Sequence, residues 1–302
     1  MDNVHQLKVF HAVAQFLSFT RAAQALYLTQ SAVSHQIAAL ERELGTALVI
    51  REGRTIHLTE AGKVLEQQAR HVFTALERAT EAVRLAARPD LGRLRIGASP
   101  TACQFLIPES LREFRESYPA FNLSIIPGDS PVVTQHVLDD TIDLGVVIRS
   151  ERIKQLHFTP LFEDELGFLV SALHPWARAG KVDRRQIAGQ HYVLYSRSSA
   201  TFRTIERYFA RIKTPLQDWT ELGSMEAIKE LVKLGLGVSI TASWIARAEL
   251  AEKSLAWLPL PGPRTRRSWC VAYRAGREIS IAEHTFIGLC QSVASHLMEA
   301  PR

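Results

Sequence analysis

One helix near the N-terminus constrains this chain more than any other feature. From Gln30 to Leu44 the residues Val33, Ile37, Leu40 and Leu44 recur at intervals of four, three and four, a single apolar stripe on a 3.6-residue period. Ser31, His35, Ala38 and Arg42 fall on the opposite side, with Ser34 on the flank. That second face is polar and small, so it can press against another surface without a bulky barrier. A DNA major groove accepts such a helix, with its N-terminal residues reaching the base edges.

The flanking residues supply the bundle that the stripe needs. Val4, Leu7, Phe10, Val13, Ala14 and Leu17 describe a first amphipathic helix. Ser18 or Thr20 can cap a short second one carrying Ala22, Ala23 and Leu26, and Thr29 can cap the third. Phe16 and Phe19 read as core. After Gly45, Leu48 to Arg51 reads as a strand, Glu52-Gly53-Arg54 as its turn, and Thr55 to Leu58 as the returning strand. Three helices and a hairpin make a winged helix-turn-helix over residues 1–59.

From Thr59 or Glu60 to Arg88 there is no proline, and Gly62 is the one glycine. Leu65, Ala69, Val72, Leu76, Ala79, Val83 and Ala86 recur at fours and threes, opposite a charged face of Glu66, Arg70, Glu77 and Arg84. A rod of roughly 40 Å, at 1.5 Å per residue, is too long for a small domain to bury. Its stripe is expected to pair with a second helix. Pro89-Asp90 ends it, which assigns 60–89 to a linking and dimerising helix.

The remaining two thirds alternate strand and helix. Strands are expected at Arg93 to Ala98, Asn122 to Ile126, Asp143 to Ile148, Tyr192 to Tyr195 and Val238 to Thr241. Helices are expected at Thr101 to Ser117, Pro131 to Leu138, Phe202 to Ile212 and Met225 to Lys233. This is an α/β pattern with an open, mostly parallel sheet. Arg264, Arg266 and Arg267, following Pro261-Gly262-Pro263, read as a solvated loop.

Composition bounds the function. A chain of 302 residues suggests about two domains, and 46% hydrophobic against 22% charged residues permits a sizeable core. No apolar run approaches the ~18 residues of a membrane span. The N-terminal segment lacks the basic and apolar regions of a secretory signal. Cys103, Cys270 and Cys290 form no CxxC, which with the missing signal points to a reducing cytoplasm. Cys103 reads as a small buried residue rather than a redox sensor. The net charge of +5 is compatible with a polyanionic partner. Residues 1–59, however, hold five Lys or Arg against four acids, so any DNA contact there depends on a few placed cations and helix N-termini.

Taken in order, the chain resembles the LysR-type transcriptional regulators nearly end to end. The resemblance rests on Ser18-Phe19-Thr20-x-Ala22-Ala23, Thr29-Gln30-Ser31-Ala32-Val33-Ser34, Leu40-Glu41-x-x-Leu44-Gly45 and Leu58-Thr59-x-x-Gly62. The second domain adds Leu94-Arg95-Ile96-Gly97, Phe114-x-x-x-Tyr118-Pro119, Asp143-Leu144-Gly145, His174-Pro175 and Val232-x-x-Gly235-x-Gly237. It implies an effector-binding domain over 90–302 with a two-lobed, type-2 periplasmic-binding-protein-like fold. Lobe I would be 91–162 with 268–302, and lobe II 163–267. It also implies a homodimer or homotetramer that reads a partly palindromic duplex site. The family's DNA-contacting positions match Thr29, Gln30, Ser31, Ser34, His35 and Gln36, with Arg51 and Arg54 in the wing and Thr59 as a phosphate contact. Two positions depart: His35 stands where Arg is frequent, and Val49 where the wing strand usually has Phe.

A small, anionic effector is expected between the lobes. Ser99-Pro100-Thr101 and Gly128-Asp129-Ser130 each follow a strand and open a helix, where backbone N–H groups and hydroxyls converge. Ser196, Ser198, Ser199 and Thr201 lead into the helix carrying Arg203, and Gly223-Ser224-Met225 starts another. Any one of these hydroxyls could equally be a helix cap; as a group, with the resemblance, they are expected to form the ligand site. No metal and no cofactor is expected. The rival readings are an enzyme, or a cytoplasmic small-molecule binding protein, with a DNA-binding appendage. The enzyme reading finds no GxSxG, HExxH or glycine-rich phosphate loop.

Overall fold

The computed structural model describes residues 3–52, 55–87, 92–262 and 264–298. They form two compact units, residues 1–87 and 88–302. In the first, helices α1 (Asn3–Phe16), α2 (Phe19–Leu26) and α3 (Gln30–Leu44) precede a hairpin of β1 (Val49–Glu52) and β2 (Thr55–Leu58), and α4 (Glu60–Ala87) follows. Val9, Phe10, Val13, Phe19, Ala22, Val33, Ile37, Leu40 and Leu48 make one core. Leu44 does not join it: at 48% exposure it lies past the end of the bundle, so the stripe of α3 stops at Leu40. Val4 and Leu17, at the two ends of α1, are exposed for the same reason.

Local chemistry sets each boundary. The Ser18 hydroxyl accepts from the N–H of Arg21 to start α2, and Thr29 accepts from the N–H of Ala32 to start α3. Gly45 ends α3 in the left-handed region at φ +68°, where a Cβ would be strained. At Gly62 the reason is proximity, since a Cβ there would lie 2.1 Å from the Leu48 carbonyl oxygen.

The stripe on α4 has two fates. Its first turns, with Ala61, Leu65 and Ala69, pack on the core of their own unit, so this part needs no second helix. Val72, Leu76 and Val83 continue the stripe and stay exposed.

The second unit begins with β3 (Arg93–Ala98), α5 (Pro100–Phe105), α6 (Ile107–Ser117), β4 (Asn122–Pro127), α7 (Ser130–Leu138) and β5 (Leu144–Arg149). The single helix expected from Thr101 to Ser117 is broken at Leu106, because Pro108 has no N–H to continue the ladder. The sixteen-residue β6 (Leu156–Ser171) follows, then α8 (Pro175–Ala179), β7 (Tyr192–Leu194), α9 (Ala200–Arg211) and β8 (Trp219–Glu221). Next come α10 (Met225–Lys233), β9 (Ser239–Ala242), α11 (Arg247–Ala251), β10 (Leu255–Pro259), β11 (Arg266–Arg274) and α12 (Ile281–Met298).

Strands β4, β3 and β5 are parallel, and β11 joins β5 antiparallel. The first part of β6 pairs antiparallel with β11, whereas its second part, from Leu166, pairs antiparallel with β9 and β10. The sheet is therefore mixed, not mostly parallel as the alternating pattern suggested. Two long strands, β6 and β11, carry the chain from one lobe to the other, and a strand crossing back between lobes must run against its neighbours. Lobe II has its own core, in which Phe168, Trp176, Tyr192, Phe202, Tyr208 and Phe209 pack together.

Arg264 and Arg266 are solvated, as expected of that segment, but Arg267 is not. It lies on β11, directly opposite Asp164 on β6, and both side chains are almost fully buried. The solvated-loop reading fails here because the partner carboxylate is 103 residues away in sequence.

Candidate functional site

In the first unit, α3 exposes Gln30, Ser31, Ala38, His35 and Arg42 opposite the buried Val33, Ile37 and Leu40. Ser34 is half-buried on the flank. Gln36 lies on the other flank: at about 100° per residue it and Ser34 stand on either side of His35, and it too is half-buried. Thr29 is exposed, and its hydroxyl both caps the helix and lies 3.0 Å from that of Ser31. Thr59 departs from its expected role. Its hydroxyl donates to the Ala47 carbonyl at 2.7 Å and accepts from the N–H of Gly62 at 2.9 Å, so it caps α4 and has no proton left for a phosphate. Arg54 and the side chain of Arg51 lie outside the described residues.

Two residues here were not singled out from the sequence. Glu41 sits in the Leu40-Glu41-x-x-Leu44-Gly45 motif and is one of the four acids of residues 1–59. Its Oε1 accepts from the N–H groups of Leu48 and Val49 at 2.8 and 3.2 Å, joining the third helix to the wing. Replacing Glu41 with Ala should leave two half-buried donors unpaired and cost about 1 to 3 kcal/mol, read as a fall in the midpoint of urea unfolding at unchanged slope. A change under 0.5 kcal/mol would show that water replaces the carboxylate. The other is Tyr27, 97% exposed at φ +56° in the turn that leads to Thr29. An aromatic residue at the turn of a helix-turn-helix was the available signal.

In the second unit, the parallel strands end where helices begin. Ser99 and Pro100 open α5 at the end of β3, and Gly128, Asp129 and Ser130 open α7 at the end of β4. Across the lobe boundary, Ser199 caps α9 and Ser224 caps α10. Asp129 and Ser198 meet directly, the hydroxyl donating to the carboxylate at 2.5 Å, while Ser196 and Ser198 lie 2.8 Å apart. The structure thus brings the Asp129 and Ser198 segments together. A second bridge between lobes runs from the Gln104 amide to the Glu226 carboxylate.

Most of the expected ligand hydroxyls have partners within the protein. Those of Ser99, Ser199 and Ser224 accept from the helix N–H groups of Ala102, Phe202 and Ala227. That of Ser130 accepts from the N–H of Ile148 at 2.9 Å. Thr201 accepts from Arg267 at 2.6 Å. Thr101 is half-buried, and its hydroxyl has no partner among the described residues. Arg203 faces a cavity of about 190 Å³ that it shares with Ser130, Thr134, Ser150 and Arg149, whose guanidinium stacks on Phe158. Two cations and one acid, Glu151, therefore line this cavity, and Asp129 directly precedes Ser130 on its wall. Tyr195, beside it, has its pKa raised by burial first and then by Asp129 and Cys103, so its hydroxyl stays protonated.

Behind these loops lies a group that periodicity could not reveal. The Asp164 carboxylate accepts from Arg267 Nε at 2.9 Å and from a second guanidinium nitrogen. It also accepts from the indole nitrogens of Trp244 and Trp269, at 2.9 and 3.0 Å. Since Arg267 in turn holds Thr201, this buried pair links the crossing strands to the start of α9. Burial raises the pKa of all three thiols, that of Cys290 to about 12, and Cys103 donates weakly to the Ala98 carbonyl. None is poised as a thiolate.

The family model described as "Bacterial regulatory helix-turn-helix protein, lysR family" matches residues 4–63. That described as "LysR substrate binding domain" matches residues 87–295. The HTH-type transcriptional activator CmpR of Synechocystis sp. is 30% identical over 287 residues, 94% of this chain and 93% of its own length. The uncharacterized HTH-type transcriptional regulator YeiE of Escherichia coli K12 is 32% identical over 288 residues, 95% of this chain and 96% of its own. Full-length OxyR from Pseudomonas aeruginosa shares the fold at a TM-score of 0.69 and 22% identity, over 99% of this chain and 98% of its own.

Proposed function

The chain belongs to the LysR family of bacterial helix-turn-helix regulators, and from that premise we propose how it reads DNA and what it senses. Residues 1–59 bind duplex DNA with the start of α3 in the major groove, Gln30, Ser31, Ser34 and His35 reaching base edges. The wing, through Arg51 and Arg54, lies against the backbone or minor groove. The observation that supports this best is the exposed polar face of α3, set opposite Val33, Ile37 and Leu40 and tied to the wing by Glu41. Gel-shift binding to the chain's own upstream region tests it, and a failure to prefer that duplex over an unrelated one would sink it.

Two substitutions separate the contacts. Gln30→Ala is expected to relax sequence preference by about 1 to 3 kcal/mol at one base position. Arg54→Ala is expected to weaken all sequences alike and to reduce the slope of log K against log salt by about 0.9. An Arg54→Ala protein with unchanged affinity and slope would remove the wing from the interface.

The second unit binds a small metabolite between its lobes, against Thr101, Ser130, Thr201 and Arg203, with Ser99, Pro100, Gly128, Asp129, Ser196, Ser198, Ser199 and Ser224 shaping the walls. An anionic group on that metabolite would sit toward Arg203 and Arg149 and away from Asp129. For binding to regulate, the ligand must favour one arrangement of the lobes over another. The chain acts by binding rather than catalysis, and it works in the cytoplasm on a partly palindromic site, as a dimer or tetramer.

A further inference from the structure

At the opposite end of α9 from Ser199 and Thr201, a cavity of about 360 Å³ opens between that helix, the helical turn Arg184–Gly189 and the Pro261-Gly262 turn. Ile187, Ile212 and Tyr208 form its wall. Arg184 and Arg211 stand on its rim, and its lining contains no acid among the described residues. Neither arginine is in an ion pair among the described residues; Arg211 donates to the Thr265 hydroxyl at 2.9 Å. Both guanidiniums lie close enough to the Tyr208 hydroxyl to oppose, by their charge, the rise that burial gives its pKa. Two like charges sharing one cavity repel each other, and an oxyanion between them would remove that repulsion. The guanidinium fork matches a carboxylate or phosphate. The volume falls within the range of small-molecule sites.

We propose that this cavity is a second ligand site, separate from the boundary between the lobes, for a small organic oxyanion on a compact apolar body. The cations on the rim hold the charged group, and Ile187, Ile212 and the Tyr208 ring cover the apolar part. The site is wired to the crossing strands. Arg211 binds Thr265, the Thr265 carbonyl accepts from the N–H of Leu166, and Arg267 holds Asp164 and Thr201. An occupant that draws on Arg211 therefore acts on the segment that joins the lobes. This inference does not depend on the effector reading above.

Phenyl phosphate is the probe, titrated calorimetrically into the full-length protein with benzyl alcohol as its uncharged counterpart. Saturable binding of phenyl phosphate, and none of benzyl alcohol, is expected. Arg184→Gln combined with Arg211→Gln should weaken it by about tenfold or more. Ile212→Trp, which fills the apolar wall and leaves both cations in place, should abolish it. A wild-type-like calorimetric unfolding transition in both variants confirms that the second unit folds. No binding to the wild type, or binding that survives both sets of substitutions, would overturn the proposal; the second outcome would place the anion elsewhere on the protein.

Discussion

Asp164→Ala is expected to destabilise the second unit by about 3 to 5 kcal/mol, the range for breaking a buried ion pair from one side. The carboxylate is the shared acceptor of one guanidinium and two indole N–H groups, all at or near full burial. Its removal strands a buried cation and two donors at once. For a unit of this size the loss corresponds to a fall in Tm of roughly 6 to 20 °C. Removing both charges, as Asp164→Leu with Arg267→Met, should recover part of that loss, since the uncompensated charge is then gone. Calorimetry of the full-length wild type and the two variants checks the ordering. A single variant no worse than the double one would mean that the guanidinium finds water. The effect should extend beyond stability, because Arg267 also positions Thr201, so any effector response should weaken in the double variant even where folding recovers.

That pair also marks the limit of what the amino-acid order discloses. The stripe Val33, Ile37, Leu40 is visible because a helix repeats its neighbours every three or four residues, and the spacing over Met225 to Lys233 matches the bounds of α10 for the same reason. Caps at Ser18, Thr29, Ser99 and Ser199 are equally local. Arg267 and Asp164 meet only because β6 and β11 cross together, and nothing near Arg267 in sequence distinguishes it from Arg264 and Arg266. Glu41 is an intermediate case. Its donors are seven and eight residues ahead, near in the chain but across a turn, so the pattern of the helix alone suggests solvent. The hydroxyls of the expected cleft were legible as a group by their placement after strands. Which of them would be used up as caps depended on hydrogen bonds that sequence does not print: Thr101 keeps its hydroxyl open, whereas Ser99 and Ser199 do not.

Val72→Asp with Leu76→Asp is expected to give monomers in analytical ultracentrifugation and to lower affinity for a two-half-site duplex by roughly 10² to 10⁴, the range lost when two linked contacts become one. The argument begins with what the first unit leaves uncovered. Leu65 and Ala69 are occupied by the core beneath them, yet Val72 is 41% exposed, Leu76 49% and Val83 72%, on the same line along α4. Apolar residues continuing a buried stripe past the edge of a domain have one economical use, which is packing against a helix from a second copy. Neither residue touches the core that holds α3, so the variant should fold, and its binding to a single half-site should match that of the wild type. The half-site comparison is what makes the test decisive. Equal loss on one half-site and two would mean that the aspartates damaged the reading head itself, and a dimer surviving both changes would mean that α4 meets its partner through another face.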